Sequence, residues 1–133
     1  MRKQKTYRVA PVEKIPPGER LIFDMDGISV GVFHVNNQFY AIRNLCPHMG
    51  APLCQGLLTD NITSDNPGEY KVDREGEILR CPWHGWEFDL LTGKALVEAD
   101  RWRTKVYNVA VEEAPSVETY EVAETKGWVV IHR

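Results

Sequence analysis

The sequence lacks the features that mark several large classes of protein. None of its apolar runs approaches the length of a membrane span, and no apolar segment follows the basic residues at the N-terminus, as a secretory signal requires. Its 16 basic and 19 acidic residues give a formal net charge of −3, which is not the basic surplus of a general nucleic-acid binder. We therefore expect a cytoplasmic protein whose partners include neither membranes nor nucleic acid.

Cysteine is also scarce, with three residues in 133, beside four histidines. An odd number of cysteines, two of them close to histidines, fits metal binding in a reducing compartment better than a disulfide framework. The sequence shows no phosphate-binding loop, Ser-His-Asp set or mononuclear iron triad. We therefore expect the chain to bind no organic substrate itself, and not to act as a catalyst on its own.

Helical periodicity is weak throughout, and short β-type runs separated by turn residues dominate. Asp26-Gly27 and Asn36-Asn37 each join two such runs, as tight hairpin turns do. The pattern predicts an all-β domain of short antiparallel strands. The predicted strands are Thr6–Ala10, Arg20–Asp24, Ile28–Val35, Gln38–Arg43, Ile78–Cys81, Glu87–Asp89, Lys105–Val111, Val117–Ala123 and Trp128–His132.

The length is that of one ordinary domain, and we expect residues 1–133 to form it. The segment Leu58–Arg80 is polar and rich in turn residues, so we expect an exposed loop with a small hairpin there. Cys54 has no partner at ligand spacing and is expected to be a buried free thiol.

Two short motifs carry the chemistry: Cys46–His48, which reads CPH, and Cys81–His84, which reads CPWH. Each places one thiolate and one imidazole on a turn, and Gly50 and Gly85 follow closely, which lets the backbone approach the site. Such a set suits a single zinc ion, or a two-iron cluster with its cysteines on one iron and its histidines on the other. The flanking residues favour the cluster, and a zinc-stabilised binding module is the alternative.

The segments Cys46–Leu53 and Cys81–Asp89, followed by Thr92-Gly93, resemble the two cluster loops of Rieske iron–sulfur proteins. The resemblance is greatest to the ferredoxins and Rieske domains of non-haem oxygenase systems. It implies a Rieske-type fold, in which a sandwich- or barrel-like base of short antiparallel strands carries a small cluster-binding part with two loops. That part would cover about residues 43–92.

The same resemblance implies one [2Fe-2S] cluster per chain, with Cys46 and Cys81 on one iron and His48 and His84 on the other. It further implies a one-electron carrier whose partners are a reductase and a terminal oxygenase. An alternative within redox chemistry is the small subunit of a larger enzyme, such as a nitrite reductase or an oxygenase.

The sequence departs from the respiratory members of that family in the second loop, and the segment between the two loops is longer than in typical ferredoxins. Trp83 stands where those proteins carry a disulfide cysteine, and Trp86 and Phe88 stand where they carry hydroxyl groups near the cluster. Without those hydroxyls we expect a low midpoint potential, about −150 mV. Trp86 and Phe88 are expected to pack beneath the loop, whereas Trp83 and Met49 fit either an apolar rim or packing between the loops.

Overall fold

β-Strands make up nearly all the regular structure of the residues that the structure describes. The computed structural model describes residues 5–66, 68–99, 101–112 and 127–133, with the backbone alone over 61–66 and 69–75. These residues include two short 3₁₀ turns, Val12–Lys14 and Leu53–Gln55. The strands are β1 Thr6–Pro11, β2 Arg20–Met25, β3 Ile28–Val35, β4 Gln38–Arg43, β5 Leu57–Asn66, β6 Glu69–Arg80, β7 Glu87–Asp89, β8 Val106–Glu112 and β9 Trp128–His132.

The prediction of an all-β fold is confirmed. Strands β3, β4, β7 and β9 have the predicted bounds. Strands β1 and β2 each end one residue later than predicted, and β8 begins and ends one residue later. The predicted strand Val117–Ala123 lies outside the described residues. No helix among the described residues is long and apolar enough to span a bilayer.

The chain divides into two compact units, and the first contains Met1–Ala41 and Tyr107–Arg133. Its strands belong to a six-stranded sheet with the order β1-β9-β8-β4-β3-β2. Both predicted hairpin turns are present, because Asp26 and Gly27 have φ values of 50° and 90°, and Asn36 and Asn37 have 52° and 63°. Positive φ at both central residues is what a type I′ hairpin turn requires.

The core of this unit comes mainly from the inward-facing residues of its strands, and Ile15 joins them from the turn after Val12–Lys14. Val30 and Val32 alternate along β3, as expected for one face of a strand. The buried cluster consists of Ile15, Met25, Val30, Val32, Ala41, Val129 and Ile131.

The second unit, Ile42–Val106, carries both of the motifs singled out in the sequence. Its strands β5, β6 and β7 form a three-stranded antiparallel sheet in that order. Its buried apolar residues include Ile42, Ala51, Leu53, Ile78, Leu79, Phe88, Leu90 and Ala95.

The expectation of an exposed loop with a small hairpin over Leu58–Arg80 was wrong, because strands cover almost the whole segment. The two strands β5 and β6 run for 10 and 12 residues and pair as a long hairpin. The ladder changes register between Thr59 and Asn61, and there the carboxylate of Asp60 accepts a hydrogen bond from the Gly76 N–H at 2.7 Å. Aspartate and asparagine are depleted in strands. Their abundance in this segment therefore favoured the prediction of a loop, although the backbones of β5 and β6 pair in a ladder.

Candidate metal centre

The first motif lies on a turn that begins three residues after β4 ends. The N–H of Cys46 donates to the carbonyl of Ala51 at 2.9 Å, and the N–H of Gly50 donates to the carbonyl of Cys46 at 2.8 Å. Gly50 has a φ of 76°, in the left-handed region that glycine enters without steric cost. These bonds close the loop and hold Cys46 at its base.

The second motif forms a loop with the same backbone pattern between β6 and β7. The N–H of Cys81 donates to the carbonyl of Trp86 at 2.6 Å, and the N–H of Gly85 donates to that of Cys81 at 3.1 Å. Gly85 has a φ of 73°. In both loops the cysteine is the first residue and the left-handed glycine the fifth, so the two thiols are presented from equivalent positions.

The two thiols meet in the interior. Cys46 is 1% exposed and Cys81 3%, and their side chains are hydrogen-bonded to each other. Burial raises the pKa of the Cys46 thiol, and Cys81 raises it further; hydrogen bonds from the backbone N–H groups of His48 and Met49 to the sulfur act in the opposite direction. A bound metal would favour the thiolates, and the two N–H groups are already placed to stabilise negative charge on the Cys46 sulfur.

The two imidazoles form a second pair. The ring centroids of His48 and His84 are 5.3 Å apart, with the planes at 82°. The Nδ1 atom of His48 is buried and has no hydrogen-bond partner, whereas the residue His84 is exposed. A buried imidazole nitrogen without a partner is costly, and coordination to a metal would satisfy it.

The donors are therefore sorted by element, sulfur with sulfur and nitrogen with nitrogen. Within the described parts of the chain, no three His, Cys, Asp or Glu side chains surround a point that could hold one metal ion. The sorted arrangement of Cys46, Cys81, His48 and His84 is the one that a two-iron cluster with unlike ends requires. The residues present thus fit a [2Fe-2S] cluster.

Aromatic side chains pack around His48. The indole of Trp86 stacks on its imidazole, with centroids 4.5 Å apart and planes at 18°, and Trp102 meets both rings edge-on. Phe88 is fully buried, as expected. The contact of Trp102 was not foreseen, because Trp102 is far from either loop along the chain and no local pattern connects it to them.

Exposed apolar residues surround the loops. Trp83 is 57% exposed and Met49 59%, which favours a rim over packing between the loops. An open cavity of about 540 Å³ lies beside the second loop and is lined in part by Leu57, Arg80, Trp83 and His84. This is a surface on which another protein can approach the His84 side of the site.

The remaining cysteine and histidines take ordinary structural roles. Cys54 is fully buried, and its thiol donates to the carbonyl of Ile42 at 3.4 Å. It forms no disulfide, in agreement with the expectation. In the other unit, His34 Nδ1 lies 2.7 Å from the carbonyl of Ile15, and His132 Nδ1 lies 3.2 Å from the hydroxyl of Thr6.

A β-fold with this paired donor set defines a class of iron–sulfur protein, and comparison with known proteins agrees. The family model described as Rieske [2Fe-2S] domain matches residues 5–108. The ferredoxin component of the naphthalene 1,2-dioxygenase system of Pseudomonas aeruginosa is 30% identical over 109 residues, which cover 82% of this chain and 89% of that protein.

Two further proteins are similar over most of their length. The 3-phenylpropionate/cinnamic acid dioxygenase ferredoxin subunit of Shigella flexneri serotype 5b (strain 8401) is 33% identical over 102 residues, which cover 77% of this chain and 81% of that protein. The solved structure of the ferredoxin of carbazole 1,9a-dioxygenase from Nocardioides aromaticivorans IC177 superposes with a TM-score of 0.65 at 26% identity, covering 96% of both chains.

The chain belongs to the Rieske [2Fe-2S] domain family. The predicted resemblance is thereby confirmed, and the cofactor is one [2Fe-2S] cluster rather than a zinc ion.

Proposed function

We propose that this chain is a one-electron carrier that takes electrons from a reductase and passes them to a terminal oxygenase. The relatives from Pseudomonas aeruginosa and Shigella flexneri are both ferredoxin parts of dioxygenase systems, and the similarity covers most of each protein. We further propose that it works in the cytoplasm. Its contacts with partners should be small and transient, as those of redox proteins generally are.

We assign four ligands to the cluster: Cys46 and Cys81 to one iron, and His48 and His84 to the other. The observation that carries this assignment is the sorting of donors, with two thiols in contact, two imidazoles in contact and the buried Nδ1 of His48 lacking a partner. The cluster supplies the capacity to take up and release one electron at a time.

The chain itself supplies a binding cradle and a point of access. The N–H groups of His48 and Met49 stabilise negative charge on the Cys46 sulfur. The exposed His84, beside the exposed Trp83, gives a partner close approach to one side of the site. We further propose that residues 1–133 act as one domain whose cluster-binding part is about residues 43–92, within the unit Ile42–Val106.

The ligand assignment is tested by iron and acid-labile sulfide analysis with low-temperature EPR of the reduced protein. We expect two irons and two sulfides in the wild type, as a [2Fe-2S] cluster contains. The EPR signal of the reduced cluster should be lost in Cys81→Ser and His84→Ala. The matched control is Cys54→Ser, which changes a cysteine outside the assigned set and keeps the cluster. A zinc-containing, sulfide-free wild type, or a His84→Ala variant with an unchanged spectrum, contradicts the assignment.

The carrier function is tested by mixing the reduced protein with an oxidised terminal oxygenase of a dioxygenase system, and the oxidised protein with a flavin reductase and NADH. We expect cluster reduction by the reductase and reoxidation by the oxygenase, both followed by visible absorption. Purification of the chain in a stable complex with a larger redox polypeptide, together with no transfer to a separate oxygenase, would favour the enzyme-subunit alternative.

A further inference from the structure

The two histidines of the proposed ligand set have different surroundings. His84 is exposed, whereas His48 is partly buried and lies within van der Waals reach of two indoles. A ring held by large neighbours has fewer orientations than a ring at the surface. The orientation of the His48 imidazole is therefore more restricted than that of the His84 imidazole.

Trp86 is the residue in direct face-to-face contact with His48. Its ring centroid lies 4.5 Å from that of the imidazole, with the planes only 18° apart. A parallel stack of this kind covers the face of the imidazole and not its edge, and the lone pair of Nδ1 lies in the ring plane at that edge. The contact can thus fix the plane of the ring without occupying the nitrogen, which agrees with the unpartnered state of Nδ1.

The position of Trp86 is itself determined by the loops. Its carbonyl accepts the N–H of Cys81 at 2.6 Å, the bond that closes the second loop, while its ring contacts His48 of the first loop. Trp102 packs edge-on against Trp86 at 5.3 Å and 78°. The carbonyl of Trp102 in turn accepts the N–H of Ala95 at 2.9 Å, so the second indole also sits on a fixed backbone.

We propose that Trp86 is a positioning residue that fixes the plane of the His48 imidazole and so directs Nδ1 toward the iron, with Trp102 holding Trp86 in place. This rests on the ligand set proposed above. Stacked aromatic pairs contribute modestly beyond their buried area. Loss of the stack should therefore loosen the ligand without removing it, and should accelerate cluster release by about two- to tenfold.

The test compares variants of the protein with its cluster in place. Trp86→Phe keeps a stacking face, whereas Trp86→Leu keeps an apolar side chain without one. Trp83→Leu is the matched control, because Trp83 lies on the same loop but is 57% exposed. The measurements are the width and g-anisotropy of the EPR signal of the reduced protein and the rate of iron release to a chelator.

We expect Trp86→Leu to broaden the EPR signal through a spread of imidazole orientations and to release iron faster. Trp86→Phe and Trp83→Leu should resemble the wild type, and Trp102→Leu should move both readouts in the direction of Trp86→Leu by a smaller amount. The inference is overturned if Trp86→Leu matches the wild type, or if Trp83→Leu changes both readouts equally. Should Trp86→Leu not fold, an unchanged Trp102→Leu overturns it.

Failure of this inference is separable from failure of the ligand assignment. If His48→Ala keeps the wild-type spectrum, the ligand assignment is wrong. If His48→Ala loses the cluster while Trp86→Leu behaves as wild type, His48 remains assigned as a ligand and only the positioning role of Trp86 is wrong.

Discussion

The side chain of Arg80 places a positive charge against the second cluster loop. A Cβ atom on Gly85 would lie 3.2 Å from both Nε and Nη2 of Arg80, so the guanidinium rests on that glycine. Arg80 also directly precedes Cys81, one of the proposed ligands. Because reduction adds a negative charge to the cluster, a cation held beside it favours the reduced state. Arg80 is exposed, and water weakens this effect.

Replacement of Arg80 by Gln should lower the midpoint potential by roughly 10–40 mV, the range for one charge about 10 Å away in a largely aqueous environment. A redox titration followed by visible absorption measures the shift, and Arg80→Lys should retain most of the wild-type potential. Arg8→Gln, in the unit without the cluster loops, changes the net charge equally and serves as the control. An Arg80→Gln potential equal to or above that of the wild type would contradict the electrostatic role.

The loops owe their geometry to the segments that flank them, and Gly56 shows this most clearly. It is buried just before β5, where Leu57 pairs with Arg80 at the end of β6. A Cβ atom at Gly56 would overlap the carbonyl oxygen of Arg80 and lie 3.1 Å from that of Leu53. Both obstacles are backbone atoms, so a side chain here can be accommodated only by moving β6 next to Cys81.

Gly56→Ala should therefore lower the free energy of unfolding by about 2–3 kcal/mol and reduce the iron content of the purified protein. Gly18→Ala is the control, because Gly18 has a φ of 84° but nothing within 4 Å of the added Cβ. That change should cost about 1–2 kcal/mol in backbone strain and leave the iron content unchanged. Chemical denaturation and iron analysis measure both; equal behaviour of the two variants would show that close packing at Gly56 is unimportant.

These elements also show what could be predicted from the sequence. The turns at Asp26-Gly27 and Asn36-Asn37 were predictable because few residues tolerate positive φ. The two loops were predictable because residues of the types that bind metals occur together in short motifs. The hairpin of β5 and β6 was underestimated because its composition is polar and its stability comes from pairing along the ladder. The packing of Trp102 against His48 could not be predicted, because the two residues are distant in sequence and come into contact only when the chain folds.

The two compact units differ in the residues that fill the interior of each one. The unit of Met1–Ala41 and Tyr107–Arg133 has an apolar cluster of seven fully buried or nearly fully buried residues and most of a six-stranded sheet. The unit Ile42–Val106 also has buried apolar residues, but its interior includes polar donors that we propose as cluster ligands. Among these are two contacting thiols and an imidazole nitrogen without a partner.

Removal of the cluster should consequently destabilise the unit Ile42–Val106 more than the other unit. Without metal, the buried Nδ1 of His48 stays unsatisfied, which alone costs about 1–3 kcal/mol, and the loops lose a ligand that binds only the folded state. We expect hydrogen exchange measured by mass spectrometry to accelerate in Cys46–Ala51 and Cys81–Trp86 after iron is chelated, while amides of β2 and β3 keep their protection. Uniform loss of protection in both units would instead mean that the cluster stabilises the whole chain as one cooperative structure.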